Sequence, residues 1–121
     1  KAMSLPVSAP FHCSMMAPAA DRMAEALDEI DVMLPRVPVV ANVTAQAVSD
    51  PETIKKVLVA QVTARVRWRE CVLAMRDAGV DTMVEMGTGK VLTGMTKRID
   101  KEVTGSAIQG PADIEEFLNS L

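Results

Sequence analysis

His12 is the only histidine in the 121 residues, and it stands just past a predicted strand over Ser4 to Ala9 that Pro6 interrupts. In open α/β sheets, functional groups gather at such strand ends. An imidazole is the one side chain whose unshifted pKa lies close to neutral, which suits general-base chemistry. A histidine packed at a strand end is the commoner occupant of such a place, and position alone does not separate the two. Cys13 follows directly. Neighbours on an extended segment point in opposite directions, so His12 and Cys13 are poorly placed to share a proton. Cys13 reads as a small buried thiol rather than a nucleophile, and Cys71, on the inward stripe of a helix, reads as core.

Gly87-Thr88-Gly89-Lys90 invites comparison with the nucleotide-binding loop, which requires Gly-x-x-x-x-Gly-Lys-Ser/Thr. Val84 stands five residues before Gly89, and Val91 follows Lys90, so both tests fail. What remains is a glycine turn feeding a helix N-terminus, whose amides could still serve an anion. Gln61 is a polar residue on an apolar helical stripe near a C-terminus, where the last carbonyls lack helical partners and can receive a donor. Asn42 reads as a turn-former. Lys90, Lys97, Arg98 and Lys101 gather in one stretch. The helix dipole is reason enough for Lys97 and Arg98, and docking of an acidic partner is the alternative.

The elements around these residues follow from periodicity. Met16, Ala19, Met23, Leu27 and Ile30 recur at helical spacing, with Pro18 confined to the first turn, so a helix starts near 15–17. Val37 to Val43 is a β-branched run without alternation, as in a strand covered on both faces. Asp50-Pro51 opens a helix striped by Ile54, Val57, Leu58 and Val62. A helix over Val66 to Ala78 stops at Gly79, and Val80 to Met86 is a strand. Val91 to Ile99 is a helix with Val91, Leu92, Met95 and Ile99 inward. A weak strand over Val103 to Ile108 leads to a helix begun by Gly110-Pro111, with Ile114, Phe117, Leu118 and Leu121 inward. Strands alternating with helices imply a mostly parallel sheet in one α/β unit.

Composition removes whole classes of function. Half the chain is apolar and 24% is charged, which excludes a disordered tail. A net charge of −3 argues against a nucleic-acid binder. No apolar run approaches the ~20 residues that span a bilayer, and no signal-peptide layout opens the sequence. Two cysteines make neither a disulfide framework nor a metal box, so a reducing cytoplasm is the expected compartment. Nine methionines against two Phe, one Trp and no Tyr suggest that flexible thioethers fill the gaps rings usually fill.

Several segments together resemble one family. Pro6-Val7-Ser8-Ala9-Pro10-Phe11-His12-Cys13-Ser14-Met15-Met16 is similar to the histidine motif of malonyl-CoA:acyl-carrier-protein transacylases. Pro38 to Val43, Gln61, Val66-Arg67-Trp68 and the run from Glu85 to Ile99 match in order and at compatible spacing, covering essentially the whole chain. The resemblance implies an α/β-hydrolase-like large subdomain with an inserted ferredoxin-like small one, most of which this chain lacks. The 121 residues are then expected to be the C-terminal part of the large subdomain. It also implies a serine–histidine dyad working through a ping-pong acyl-enzyme. On that pattern His12 is the base that activates the serine and then the phosphopantetheine thiol. Gln61 matches the position whose main-chain carbonyl orients the imidazole, replacing the carboxylate of a full triad. Phe11, before the histidine, resembles the malonyl-selecting pattern of related polyketide acyltransferases.

The implied substrates are malonyl-CoA, a coenzyme A thioester, and acyl carrier protein. No tightly bound cofactor, metal, nucleic acid or membrane is expected, and the full-length protein is expected to be a monomer. Lys90, Lys97 and Arg98 are the candidate carrier-docking residues. The family's Gly-His-Ser-x-Gly elbow does not occur here, nor do counterparts of its carboxylate-binding arginine and oxyanion-hole glutamine. The sequence therefore reads as catalytically incomplete, either a portion of an enzyme or a non-catalytic carrier-docking module. A strand followed by His12, together with Gln61, favours the enzyme. A sheet lacking its early strands would expose unpaired edges and apolar surface, so the isolated chain is expected to aggregate or to need the missing half.

Overall fold

The computed structural model describes residues 9–120. They divide into two compact units, one ending at Trp68 and the other beginning at Arg69, where the sequence suggests a single α/β unit. The strand expected over Ser4 to Ala9 falls almost wholly outside the described residues, as does Leu121.

In the first unit a 3-10 turn, Ser14–Met16, runs into α1, Ala17–Asp28, with Pro18 in its first turn. Two short strands follow, β1 (Val39–Val40) and β2 (Ala47–Val48), and then α2 (Pro51–Thr63). The helix α2 begins where the sequence predicts: Asp50 Oδ2 accepts hydrogen bonds from the Thr53 amide at 2.8 Å and the Thr53 hydroxyl at 2.6 Å. These two bonds, the hydroxyl first, hold the Asp50 carboxyl below its ordinary range. Ile54 and Val57 are buried, and α2 packs along α1.

The face that α1 buries is one residue away from the stripe read in the sequence: Ala20 is buried and Ala24 and Leu27 are partly covered, while Met23 and Ala19 are exposed. Ile30 lies beyond the helix end and is exposed, and its carbonyl accepts from Lys55 Nζ at 2.8 Å. The run Val37 to Val43 gives only the two residues of β1, paired antiparallel with β2. The reason is local. Ala45 adopts a positive φ of 54°, and its amide returns to the Ala41 carbonyl at 2.8 Å, closing a tight turn that folds the chain back as a ribbon. The antiparallel pair therefore replaces the parallel strand expected there.

The second unit is the parallel α/β piece the alternation predicts. It comprises α3 (Trp68–Asp77) from Arg69 onward, β3 (Thr82–Met86), α4 (Val91–Ile99), β4 (Thr104–Ile108) and α5 (Pro111–Asn119). The strands β3 and β4 pair in parallel over five positions, from Thr82 with Thr104 to Met86 with Ile108. Gly79 ends the α3 segment at φ 91°, as a left-handed cap. Arg76 of α3 donates to Asp100 at the end of α4 at 2.8 Å and to Asp77 at 2.6 Å.

The buried face of α4 differs from expectation. Val91 is 68% exposed, whereas Thr96 is 1% exposed. Thr96 can be buried because its hydroxyl donates to the Leu92 carbonyl one turn back, at 2.9 Å. In α5, Phe117 is half-buried while Ile114 and Leu118 stand exposed. Cys71 and Val72 are the most deeply buried residues of α3, as the core reading of Cys71 requires.

Candidate active site

His12 sits in a tight turn between the N-terminal segment and α1. Its φ is 54°, the left-handed region that few non-glycine residues adopt. Hydrogen bonds tie the turn on both sides. The Phe11 amide donates to the Ala9 carbonyl at 3.0 Å, the Cys13 thiol to the Pro10 carbonyl at 3.2 Å, and the Met16 amide to the Cys13 carbonyl at 3.0 Å. The imidazole is exposed, and its Nδ1 lies 3.0 Å from the main-chain oxygen of Gln61.

That oxygen is available for a reason visible in the backbone. Gln61 stands in the last turn of α2, and Ala64 leaves the helix at φ −94°, ψ 158°. No further helical turn returns an amide to the Gln61 carbonyl. A carbonyl only accepts, so the nitrogen facing it carries the proton. In the neutral ring Nε2 is then the unprotonated nitrogen, its lone pair on the side of the ring away from the Gln61 carbonyl. This arrangement of one anchored nitrogen and one free one is what an imidazole base needs.

Cys13 is half-buried, its thiol turned to the Pro10 carbonyl. Phe11 is 58% exposed. A groove of about 360 Å³ runs between α1 and α2, lined by residues such as Leu27, Lys55 and Val59, and neither His12 nor Phe11 lines it. Asn42 lies in the turn between β1 and β2. Among the described residues no group of three or more His, Cys, Asp and Glu is arranged to hold a metal ion, and no helix is long and apolar enough to cross a membrane.

The Gly87–Lys90 loop does not offer an anion site. Glu85 of β3 reaches the start of α4 and accepts from the amides of Leu92 at 3.3 Å and Thr93 at 2.8 Å, and from the Thr93 hydroxyl at 2.8 Å. These bonds, the Thr93 amide foremost, hold the Glu85 carboxyl below its ordinary range. The carboxylate thus takes the place that a bound anion would occupy. Motifs alone do not assign this role to Glu85. The signal that could have found it is an acid at a strand end, a few residues before a helix with no capping side chain of its own.

Lys90, Lys97 and Arg98 are all exposed, but they do not converge. Lys90 precedes α4 and the other two close it, roughly 10 Å apart along the axis at 1.5 Å per residue. Lys97 and Lys101 instead line a common groove of about 320 Å³ with Gly94 and Gly105.

Comparison with known proteins agrees with the sequence motifs. No protein-family profile matches the chain. The chain is 43% identical over 118 residues to the malonyl CoA-acyl carrier protein transacylase of Salmonella typhimurium, covering 98% of this chain and 38% of that protein. Among solved structures, the acyl-carrier-protein-S-malonyltransferase from Bartonella henselae superposes with a TM-score of 0.85 at 46% identity, over 96% of this chain and 37% of that one. A malonyl-transacylase solved in complex with its type II PKS acyl-carrier protein gives a TM-score of 0.82 at 39% identity, over 97% of this chain and 38% of that one. The chain therefore spans less than two fifths of the length of the relatives it matches. Within that span the chain is similar to the C-terminal part of malonyl CoA-acyl carrier protein transacylases.

Proposed function

We propose that this chain carries the general-base part of a malonyl transfer site, acting on malonyl-CoA and the phosphopantetheine thiol of acyl carrier protein. The observation that supports this best is the 3.0 Å contact between His12 Nδ1 and the Gln61 carbonyl. In the first half-reaction Nε2 of His12 takes the proton of a serine hydroxyl as that oxygen attacks the thioester carbonyl. The C–S bond breaks, and the imidazolium returns the proton to the departing coenzyme A sulfur. In the second, Nε2 takes the proton of the carrier thiol, the sulfur attacks the seryl ester, and the serine oxygen leaves with the proton. The serine, its oxyanion hole and the group that binds the malonyl carboxylate belong to residues other than these 121.

Phe11 bounds the space beside the acyl α-carbon in this reading, and Lys97 and Arg98, with Lys90 at the other end of α4, meet the acidic carrier. The chain forms part of the large, hydrolase-like subdomain of a cytoplasmic monomer that needs no tightly bound cofactor. A docking module without chemistry would gain nothing from an imidazole anchored at one nitrogen and free at the other. His12→Ala in the full-length protein tests the proposal through malonyl transfer to the carrier and the burst of acylation. Both are expected to fall about 10²- to 10⁴-fold, the usual contribution of a positioned base. Transfer within threefold of the native rate would defeat it.

A further inference from the structure

We propose that Cys13 is a positioning residue for His12, its thiol serving as the latch of the turn that aims the imidazole; this rests on the catalytic reading of His12 given above. His12 holds a left-handed backbone at φ 54°, a conformation that persists only where neighbours enforce it. Two of the three bonds that enforce it are main-chain, and any sequence could form them: Phe11 to Ala9, and Met16 to Cys13, each at 3.0 Å. The third depends on a side chain. The Cys13 Sγ–H donates to the Pro10 carbonyl at 3.2 Å, spanning His12 from one side to the other. Pro10 is exposed and its carbonyl could be hydrated instead, so what the thiol adds is a fixed closure across His12. Without the latch, His12 is free to relax towards the common region of negative φ. That rotation swings Cβ, and with it the ring, away from the Gln61 oxygen.

The requirement is for a short side chain ending in a donor, not for sulfur chemistry. In the full-length protein, Cys13→Ser is expected to keep kcat within about twofold of native, because a hydroxyl replaces the thiol as donor. Cys13→Ala is expected to lower kcat about three- to tenfold, the scale of one modest hydrogen bond, with KM for malonyl-CoA unchanged. The imidazole ¹⁵N resonances of His12, identified by their loss in His12→Asn, supply the readout that a merely structural role would not move. Native and Cys13→Ser should show a protonated Nδ1 and a bare Nε2, while Cys13→Ala should show tautomers in exchange. Equal kcat and equal ¹⁵N shifts in Cys13→Ala and native protein would overturn the proposal, as would a Cys13→Ser variant no better than Cys13→Ala. If the native protein transfers no malonyl, the functional reading falls, and the ¹⁵N comparison still decides whether the latch sets the tautomer.

Discussion

If a peptide oxygen orients His12, changing the Gln61 side chain should matter little and turning its carbonyl should matter a great deal. Gln61→Ala keeps the backbone and places the best helix former in the last turn of α2. Malonyl transfer is expected to stay within about twofold of native. Val62→Pro addresses the carbonyl itself. A residue before proline is pushed out of the α region, with ψ moving from about −40° to between +120° and +160°, which turns its carbonyl nearly about face. The 3.0 Å contact with Nδ1 cannot survive that rotation. Hydrogen bonds to a charged group contribute about 1.5–3 kcal/mol, and His12 is charged in the transition state of both half-reactions. At 1.36 kcal/mol per decade, the loss corresponds to roughly a 10- to 160-fold fall in kcat. The assay is single-turnover acylation and steady-state transfer in the full-length protein, with thermal unfolding to confirm that each variant is folded. A large loss in Gln61→Ala with unchanged circular dichroism would refute the reasoning, and so would a folded Val62→Pro that transfers malonyl at the native rate.

Two stability predictions follow from the same elements. The folded Asp50 carboxyl lies below its ordinary value because Thr53 donates to it twice. Its stabilisation is therefore present above pH ~4 and is lost as pH falls through the lower folded value. Denaturation of native protein and of Asp50→Ala should differ at pH 6 and converge in strong acid, and a difference that grows on acidification would contradict this. The glycines of the second unit should respond with opposite signs. Gly94 is exposed in α4, and a methyl group added there would meet nothing within 4 Å, so Gly94→Ala should stabilise by up to about 1 kcal/mol. At Gly105 an added Cβ would lie 3.2 Å from Thr93 Cγ2. The Thr93 side chain cannot rotate aside because its hydroxyl is bonded to Glu85 and to the Ser106 carbonyl. Gly105→Ala should cost about 1–3 kcal/mol, read as a lowered Tm.

The sequence announces what depends on local chemistry. Asp50-Pro51 marks the start of α2 and Gly79 the end of the α3 segment because caps are set by one or two residues. The parallel partners β3 and β4 are legible from alternation with helices. What escapes is whatever rests on a side-chain partner beyond the cap residues or on an unexpected backbone angle. Thr96 looks like a solvent residue on α4, yet it is buried because its own helix satisfies the hydroxyl. Glu85 looks like a strand acid, yet its partners lie seven and eight residues on, across the glycine turn. The fold-back between β1 and β2 rests on Ala45 at positive φ, which no propensity for alanine would suggest. At the candidate site, His12 and the end of α2 are both legible, but only the family motif brings them together across 49 positions. Helical period and strand pattern alone fix neither the left-handed turn at His12 nor the direction of its ring.

The use of a carbonyl in place of a carboxylate has a consequence for how such a site responds to pH. A carboxylate partner brings a full charge, must be desolvated, and titrates in its own right. The Gln61 oxygen carries only the partial charge of a peptide group at the C-terminal end of α2. It does not take up a proton anywhere in the range where proteins stay folded. On the proposed mechanism the orienting group therefore adds no ionisation of its own to the rate profile. A weaker partner also leaves the ring less firmly anchored, so more of the alignment must come from the backbone that carries the imidazole. The left-handed turn at His12, tied by Phe11, Cys13 and Met16, is where this chain places that alignment.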